Sequence, residues 1–443
     1  MSAQRRCSCW FNKLNNVVSV KHLVKQVRGV TSEVCLHLLR SFTMDRSLLK
    51  AEDEPVKTVL FEREPGGVTY RIPALVYLQH SKTYLAFAEK RASSKDQDAK
   101  VLVMRRGTLN EDGTVEWSPI QELSTARLPH HRSMNPCPVF EKTNRKLFLV
   151  FICVLGSTPE CWQIRTGKNK TRLCCVTSSD DGRTWSPVRD LTAEAVGGEL
   201  RNWATFGVGP GHGVQLENGR LVVPAYTYYI LTRIWFTSIP WTVHSYALSV
   251  YSEDCGETWR VGRKLDQESC ECEMAEVIDQ AGGSHLYCNA RRSGGHRCEA
   301  VSENSGTSFN KPHLAQELVE PRSGCQGSVV SFPPPKSLTS DETDSRSDGT
   351  QTWLLFMHPT HKSDRLDMGV YLNRSPLNPS GWDKPKIIHR GPSGYSDLAY
   401  CRDTNRFSCL MECGTRSELE HIAFASFTLS EVMQTGSEQE NME

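Results

Sequence analysis

From about residue 57 to 430 the chain alternates short apolar runs with clusters of Gly, Asp, Asn and Pro. Tyr84-Leu85-Ala86-Phe87-Ala88, Leu147-Phe148-Leu149-Val150-Phe151-Ile152, Leu221-Val222-Val223-Pro224 and Trp353-Leu354-Leu355-Phe356 have the length and bounding residues of β-strands. Sustained helical periodicity is nearly absent, and only Leu191 to Leu200 reads as a short connecting helix. One local pattern recurs. Ser178-Ser179-Asp180-Asp181-Gly182-Arg183-Thr184-Trp185 and Ser252-Glu253-Asp254-Cys255-Gly256-Glu257-Thr258-Trp259 both read S-x-D-x-G-x-T-W, and Ser302 to Phe309 is a degenerate third copy. Such a string predicts a hairpin turn. Asp or Asn accepts turn N–H groups, Gly tolerates positive φ, Thr enters the next strand, and the aromatic packs the hairpin onto the body.

Weaker echoes at Trp117 and Trp382 extend the series to Trp117, Trp185, Trp259, Phe309 and Trp382, separated by 68, 74, 50 and 73 residues. A unit of that size holds a four-stranded blade with loops. The expected fold is therefore all-β: a six-bladed β-propeller with Asp-box hairpins, five or seven blades being compatible with the spacing. The expected organisation is a basic head over 1–50, one propeller over 57–430 with a mobile insertion at 333–350, and a flexible tail over 431–443.

Lys plus Arg is 52 and Asp plus Glu 51, for a net charge of +1. That balance argues against a general nucleic-acid binder and leaves room for a local basic pocket. No run of 18 apolar residues predicts a spanning helix, and no compact signal peptide is visible. The 17 cysteines are scattered, odd in number and without zinc-site spacing, which favours free thiols in a reducing compartment over a disulfide framework. Residues 1–44 carry seven basic residues and one acidic residue, with Val17, Val20, Val24 and Val27 near one helical face. A disordered tail, a helix lying on anionic lipid and a mitochondrial leader all fit that composition, and Met44 offers an internal start. Cys7 and Cys9 are candidate acylation positions. The stretch Tyr228-Tyr229-Ile230-Leu231 through Ile234-Trp235-Phe236 to Trp241 fits a buried strand or a loop touching lipid.

Several motifs place strong polar groups beside rigid apolar ones: Tyr70-Arg71-Ile72-Pro73, His131-Arg132-Ser133-Met134-Asn135-Pro136, Gly324-Cys325-Gln326-Gly327 and Gly394-Tyr395-Ser396-Asp397. Together with the Asp boxes they make the chain resemble the vertebrate exo-α-sialidases of the cytosolic and plasma-membrane type over roughly residues 60–430, most of all the membrane-associated, ganglioside-preferring kind. The resemblance implies an arginine triad of Arg71, Arg291 and Arg365 that holds the carboxylate of sialic acid, a task suited to planar guanidinium forks. It implies Glu420 as the brace of Arg71, with Glu89 and Arg91 at the pocket. It assigns Tyr395 as nucleophile, Glu276 as its base with Glu271 and Glu273 as rivals, and Asp96 as acid/base with Asp98 as the nearest alternative. A neutral phenol attacks a carbon that already bears a carboxylate without the repulsion a second carboxylate would meet. Nearby arginines are expected to favour its phenolate.

Met134 and Asn135 are implied at the N-acetyl group, and Tyr226, Tyr228 and Glu160 at the glycerol chain. The implied activity is hydrolysis of terminal α-linked sialic acid from gangliosides and other sialoglycoconjugates, with retention, no cofactor and no metal. Implied too are peripheral contact with a membrane, chiefly the plasma membrane with endosomal or lysosomal membranes or the cytoplasm as other settings, and no nucleic-acid partner. Broad action on glycoproteins and oligosaccharides, sialyl transfer, and a non-catalytic sialoglycan-binding propeller are the competing readings.

Overall fold

The computed structural model describes residues 54–231, 243–335 and 351–434. The expected basic head lies outside the described residues, as do the aromatic stretch from Ile234 to Trp241, most of the insertion and most of the tail. The first tail residues enter a short helix, Leu429–Met433, which Thr428 and Glu431 cap reciprocally and which buries Val432.

The chain is built from antiparallel sheets laid down in sequence order. The first sheet runs Thr69–Leu78, Thr83–Arg91, Ala99–Leu109 and Val115–Trp117, with Gln121–Glu122 added beside the third strand. The second runs His131–Glu141, Lys146–Leu155, Thr171–Ser178 and Arg189–Asp190. The third holds Trp203–Val208, Leu221–Ile230, Val243–Ser252 and Arg260–Val261, with Val214–Gln215 alongside. The fourth holds Cys272–Ile278, Ser284–Ala290, His296–Ser302 and His313–Val319. The connecting helix expected after Leu191 is a pair of short helical turns, Thr192–Val196 and Gly197–Asn202.

The expected six separate blades are corrected by these pairings. Four sheets are blade-sized, with four or five strands each, and the remaining sheet is continuous over seven. Its strands are Ser328–Phe332, Trp353–Pro359, Leu366–Asn373, Lys386–Cys401, Arg406–Cys413, His421–Thr428 and Lys57–Glu62. The cause is the 16-residue strand Lys386–Cys401, which pairs through its first half with Leu366–Asn373 and through its second with Arg406–Cys413. The fold is all-β and propeller-like. Thr69–Leu78 touches His131–Glu141, which touches Trp203–Val208; Leu221–Ile230 touches Cys272–Ile278, which touches Ser328–Phe332, and Lys386–Cys401 returns to touch Thr69–Leu78. The early strand Lys57–Glu62 pairs with the late strand His421–Thr428, so the ends of the described chain share one sheet.

The Asp boxes form the turns their sequence predicts. Asp180 accepts from Ser178 Oγ at 2.8 Å, Thr184 N at 2.9 Å and Thr184 Oγ1 at 2.7 Å, and Asp254 repeats the set with Ser252 and Thr258. Each turn reverses through positive φ at two residues, 57° and 75° at Asp181-Gly182 and 56° and 88° at Cys255-Gly256. The aromatic then packs on the preceding sheet, Trp185 edge-on to Phe87 and Trp259 edge-on to Phe148. The boxes thus fasten neighbouring sheets together. No disulfide joins any two of the fourteen described cysteines.

Candidate active site

Three strands that reach the pocket are not regular, and their irregularities aim the polar groups. Ile72, Asn135 and Asp367 sit at φ of 61°, 54° and 58°. Each coincides with a slip in pairing, between Arg71 and Ala74, Met134 and Cys137, and Leu366 and Met368. A β-branched residue in the left-handed region is strained, and strands that bulge beside a pocket redirect the neighbouring side chains. Pro73 and Pro136 follow two of these residues and remove ladder donors where the pairing breaks.

Tyr395 is the meeting point. The Arg71 and Arg365 guanidinium carbons each lie 5.2 Å from its ring centroid, and Arg291 Nη1 donates to its hydroxyl at 2.9 Å. The expected triad therefore converges around one phenol. The hydroxyl itself donates to Glu271 Oε1 at 2.5 Å, while Glu271 Oε2 accepts from Arg291 Nη1 at 2.6 Å. This corrects the assignment of Glu276. Its carboxylate accepts from Glu217 N at 2.9 Å and Ser284 Oγ at 2.7 Å, away from the phenol. Strand geometry is the reason. Positions 271 and 276 differ by an odd number, so they face opposite ways, and they stand roughly 16 Å apart along an extended chain.

Glu420 is corrected likewise. It closes its own turn, accepting from Thr415 N and Arg416 N at 2.9 Å each. The brace of Arg71 is Glu412, which takes Arg71 Nε at 2.9 Å and Nη2 at 3.0 Å in a bidentate pair. Its oxygens also accept the N–H groups of Ile72 and Tyr395, so one buried carboxylate ties the strained Ile72 to the strand carrying the phenol. Burial opposes the Arg71 cation, yet Glu412 outweighs it and raises the guanidinium further. The same carboxylate is held below its usual range because Arg71 and three hydrogen bonds overcome its burial.

Arg291 Nη2 and Arg365 Nη2 donate to the carbonyls of Ser323 and Gly324. A Cβ on Gly324 would meet Arg291 Nε at 2.6 Å, so only glycine lets the guanidinium lie this close. The loop is fixed from beneath by a fully buried pair: Arg297 donates to Glu320 at 2.8 Å and to the Cys325 carbonyl at 2.6 Å. Glu320 in turn accepts the Cys325 N–H.

Burial and the Glu271 charge hold the Tyr395 phenol well above its ordinary range, against the pull of Arg291 and Arg365. Arg291 and Arg365 do pull the phenol toward its anion, as expected, but burial and Glu271 outweigh them. Glu160, first residue of the short helix Glu160–Thr166, is pushed up to about 7 by burial and by the charges of Asp96 and Glu271. Asp96 lies exposed on the loop after Thr83–Arg91, its Oδ1 2.5 Å from Arg91 Nη1. Partial desolvation at the crowded pocket rim opposes the charge of this solvent-accessible carboxyl, but Arg91 and Arg71 prevail and lower it. Asp98 is taken up by Ser93.

Arg91 and Glu89 form a buried pair at 2.6 Å, and Glu89 Oε1 accepts the Asn135 N–H at 2.7 Å. Arg91 therefore links Glu89 to Asp96. Asn135 reaches the Val208 carbonyl and, at 3.4 Å, the Tyr226 hydroxyl. Tyr226 and Tyr228 stand edge to face at 6.2 Å, and Met134 packs into the core with Ala99, Cys137 and Trp203.

One group among the described residues has spacing suited to a cation: His212, Glu273 and Asp397. Its members already satisfy each other. His212 Nδ1 lies 2.7 Å from Asp397, and Ser328 Oγ, with one proton to give, lies 2.8 Å from Glu273 Oε2 and 3.0 Å from Asp397 Oδ1. Glu273 and Asp397 stand two positions from Glu271 and Tyr395, so this node lies one side-chain layer along the same two strands. Sequence reasoning left Glu271 as a rival and missed Glu412. The signal for Glu412 was a lone charge inside Leu410-Met411-Glu412-Cys413, an apolar run where a carboxylate needs a buried partner.

A BNR repeat-like domain model matches residues 82–408. Sialidase-3 of Bos taurus is 48% identical over 398 residues, covering 84% of this chain and 93% of its own length. Sialidase-4 of Mus musculus is 42% identical over 456 residues, covering 86% and 94%. Among solved structures, a Hadza microbial sialidase matches with a TM-score of 0.67 at 21% identity, over 85% of this chain and 69% of its own, a likeness of fold.

Proposed function

The chain belongs to the vertebrate sialidase family, and from that premise we propose how its pocket works as an exo-α-sialidase that hydrolyses terminal α-linked sialic acid. The observation that carries the mechanism is the Tyr395–Glu271 hydrogen bond inside a ring of three arginines. The substrate carboxylate docks on Arg71, Arg291 and Arg365, which fixes the anomeric carbon over the phenol. Tyr395 attacks that carbon as its proton passes to Glu271. The glycosidic C–O bond breaks, and its electrons leave on the oxygen that Asp96 protonates. Asp96 then takes a proton from water, the water oxygen bonds to the anomeric carbon, and the tyrosyl C–O bond breaks. Glu271 returns the proton to Tyr395. Two inversions give net retention.

Asp96 is ionised before substrate arrives, since Arg91 and Arg71 lower it. The substrate carboxylate cancels part of that positive field, which raises Asp96 toward the protonated form the first step needs. Glu89, Arg91 and Asn135 position Asp96 and the wall of the pocket. Glu160, Tyr226 and Tyr228 face the sugar's polar substituents, and Met134 backs that wall from the core. Tyr395→Phe is the direct test on 3′-sialyllactose, and unaltered turnover would refute the covalent route.

Gangliosides are the proposed preferred substrates, with peripheral contact at the plasma membrane. Trp162 and Leu231 support this reading: both are exposed, and they lie on or directly after elements that carry Glu160, Tyr226 and Tyr228. The head over 1–50 is proposed to add basic contact with anionic lipid, beside a single catalytic unit over 57–430. No helix among the described residues is long and apolar enough to cross a membrane. Carbonate extraction tests the attachment, with release by salt alone counting against hydrophobic anchoring. Equal turnover of ganglioside micelles, sialyllactose and sialoglycoprotein would refute the preference.

A further inference from the structure

Behind the Asp96 loop, outside the three-arginine pocket, lies an open groove of about 520 Å³ between the first and second sheets. Its charge is unbalanced. Five cations line it: Lys90, Arg91, Lys100, Arg127 and Arg132, against Glu122 as the one lining carboxylate. Glu122 pairs with Lys90 at 2.8 Å, and Arg91 is taken up by Glu89 and Asp96. Lys100 and Arg127 are exposed, with no carboxylate partner among the described residues. Arg132 is more unusual. It is 6% exposed, its two terminal nitrogens donate only to the Gly156 and Thr158 carbonyls, and its Nε is buried with no hydrogen-bond partner. A buried guanidinium that contacts no carboxylate is costly unless an anion completes it.

The groove also has a defined place in the reaction. Gln97, next to Asp96, lines it, and so does Arg91, which holds Asp96. Asp96 meets the oxygen of the leaving group, so the remainder of the substrate extends from the pocket on this side. We infer that the groove is a subsite for a second carboxylate-bearing sugar, the penultimate sialyl unit of a disialyl substrate. This rests on sialic-acid hydrolysis at the three-arginine pocket and adds a specificity for the sugar beyond the scissile bond. Mutual repulsion between two sialyl carboxylates is relieved when each meets its own cationic site. Substrates with a neutral penultimate sugar gain nothing from the groove.

The test compares kcat/KM for an α2,8-linked disialyllactose with that for 3′-sialyllactose, using the full chain and its Lys100→Ala, Arg127→Ala and double variants at low salt. Each exposed charge removed lowers the disialyl-to-monosialyl ratio by up to about fivefold, the upper value of an exposed ion pair. Turnover of sialyllactose holds, and added salt lowers the wild-type ratio. An unchanged ratio in the double variant overturns the inference. So does an effect seen only with substrate in anionic vesicles, which would assign the groove to lipid headgroups. Failure of the wild type to cleave sialyllactose would instead overturn the catalytic reading beneath it.

Discussion

Exchanging the charge of Glu271 for an amide isolates the proposed base. Glu271→Gln keeps the side-chain shape and one acceptor oxygen, but it removes the group that takes the Tyr395 proton across 2.5 Å. That proton does not leave unaided, because burial and its surroundings hold the phenol well above its ordinary range. Loss of a positioned base costs about 100- to 10,000-fold in rate, or roughly 3–5 kcal/mol of activation free energy. Substrate binding is expected to hold or tighten, since Arg291 Nη1 loses its carboxylate partner and is freed for the substrate's. The signature is a fall in kcat with KM unchanged or lowered, read by steady-state kinetics on 3′-sialyllactose. Glu276→Gln is the control. It weakens bonds to Glu217 N and Ser284 Oγ, worth about 1 kcal/mol of stability, and leaves kcat within about threefold. The reverse outcome, a crippled Glu276 variant beside an active Glu271 variant, would refute the reasoning.

The same geometry sets other outcomes. The Glu160 carboxyl, pushed up to about 7, is neutral below that pH and anionic above it, where it opposes an anionic substrate. Wild-type kcat/KM should therefore fall as pH rises through about 7, and Glu160→Gln should lose that limb of the profile. Glu412→Ala strands Arg71 without its buried partner, which costs about 3–5 kcal/mol of stability, visible as a lowered denaturation midpoint together with a raised KM. Arg297→Met should cost a similar amount by leaving Glu320 buried and unpaired, while Arg297→Met with Glu320→Leu recovers most of it in thermal melts.

What the sequence disclosed was local or carried by short motifs. The Asp boxes were legible because every bond in the turn joins residues within four positions, so the string contains its own geometry. Arg71, Arg291, Arg365 and Tyr395 stood out through their motifs, and the structure gathers them about one ring. Their carboxylate partners were not legible in the same way. Choosing between Glu271 and Glu276 needs the parity of a strand whose facing neighbour is 124 positions away in the chain. The partner of Arg71 lies 341 positions on, and Glu420 was a plausible stand-in because it falls in the same late segment. The blade count failed for a related reason. Spacing divides the chain into units but is blind to a strand long enough to pair on both sides, as Lys386–Cys401 does.

Pairing of Lys57–Glu62 with His421–Thr428 makes the pocket a late product of synthesis. The Arg71 strand leaves the ribosome early, yet its carboxylate anchor sits on Arg406–Cys413, and the phenol it surrounds on Lys386–Cys401. Until those segments emerge, Arg71 has neither its counter-ion nor the Tyr395 phenol nearby. A chain stopped anywhere before about residue 413 carries a triad with one member unanchored, and one stopped before His421 also leaves the first strand without its partner. Catalytic competence therefore waits on these distant segments: hydrolysis begins only when Lys386–Cys401 and Arg406–Cys413 have met Thr69–Leu78.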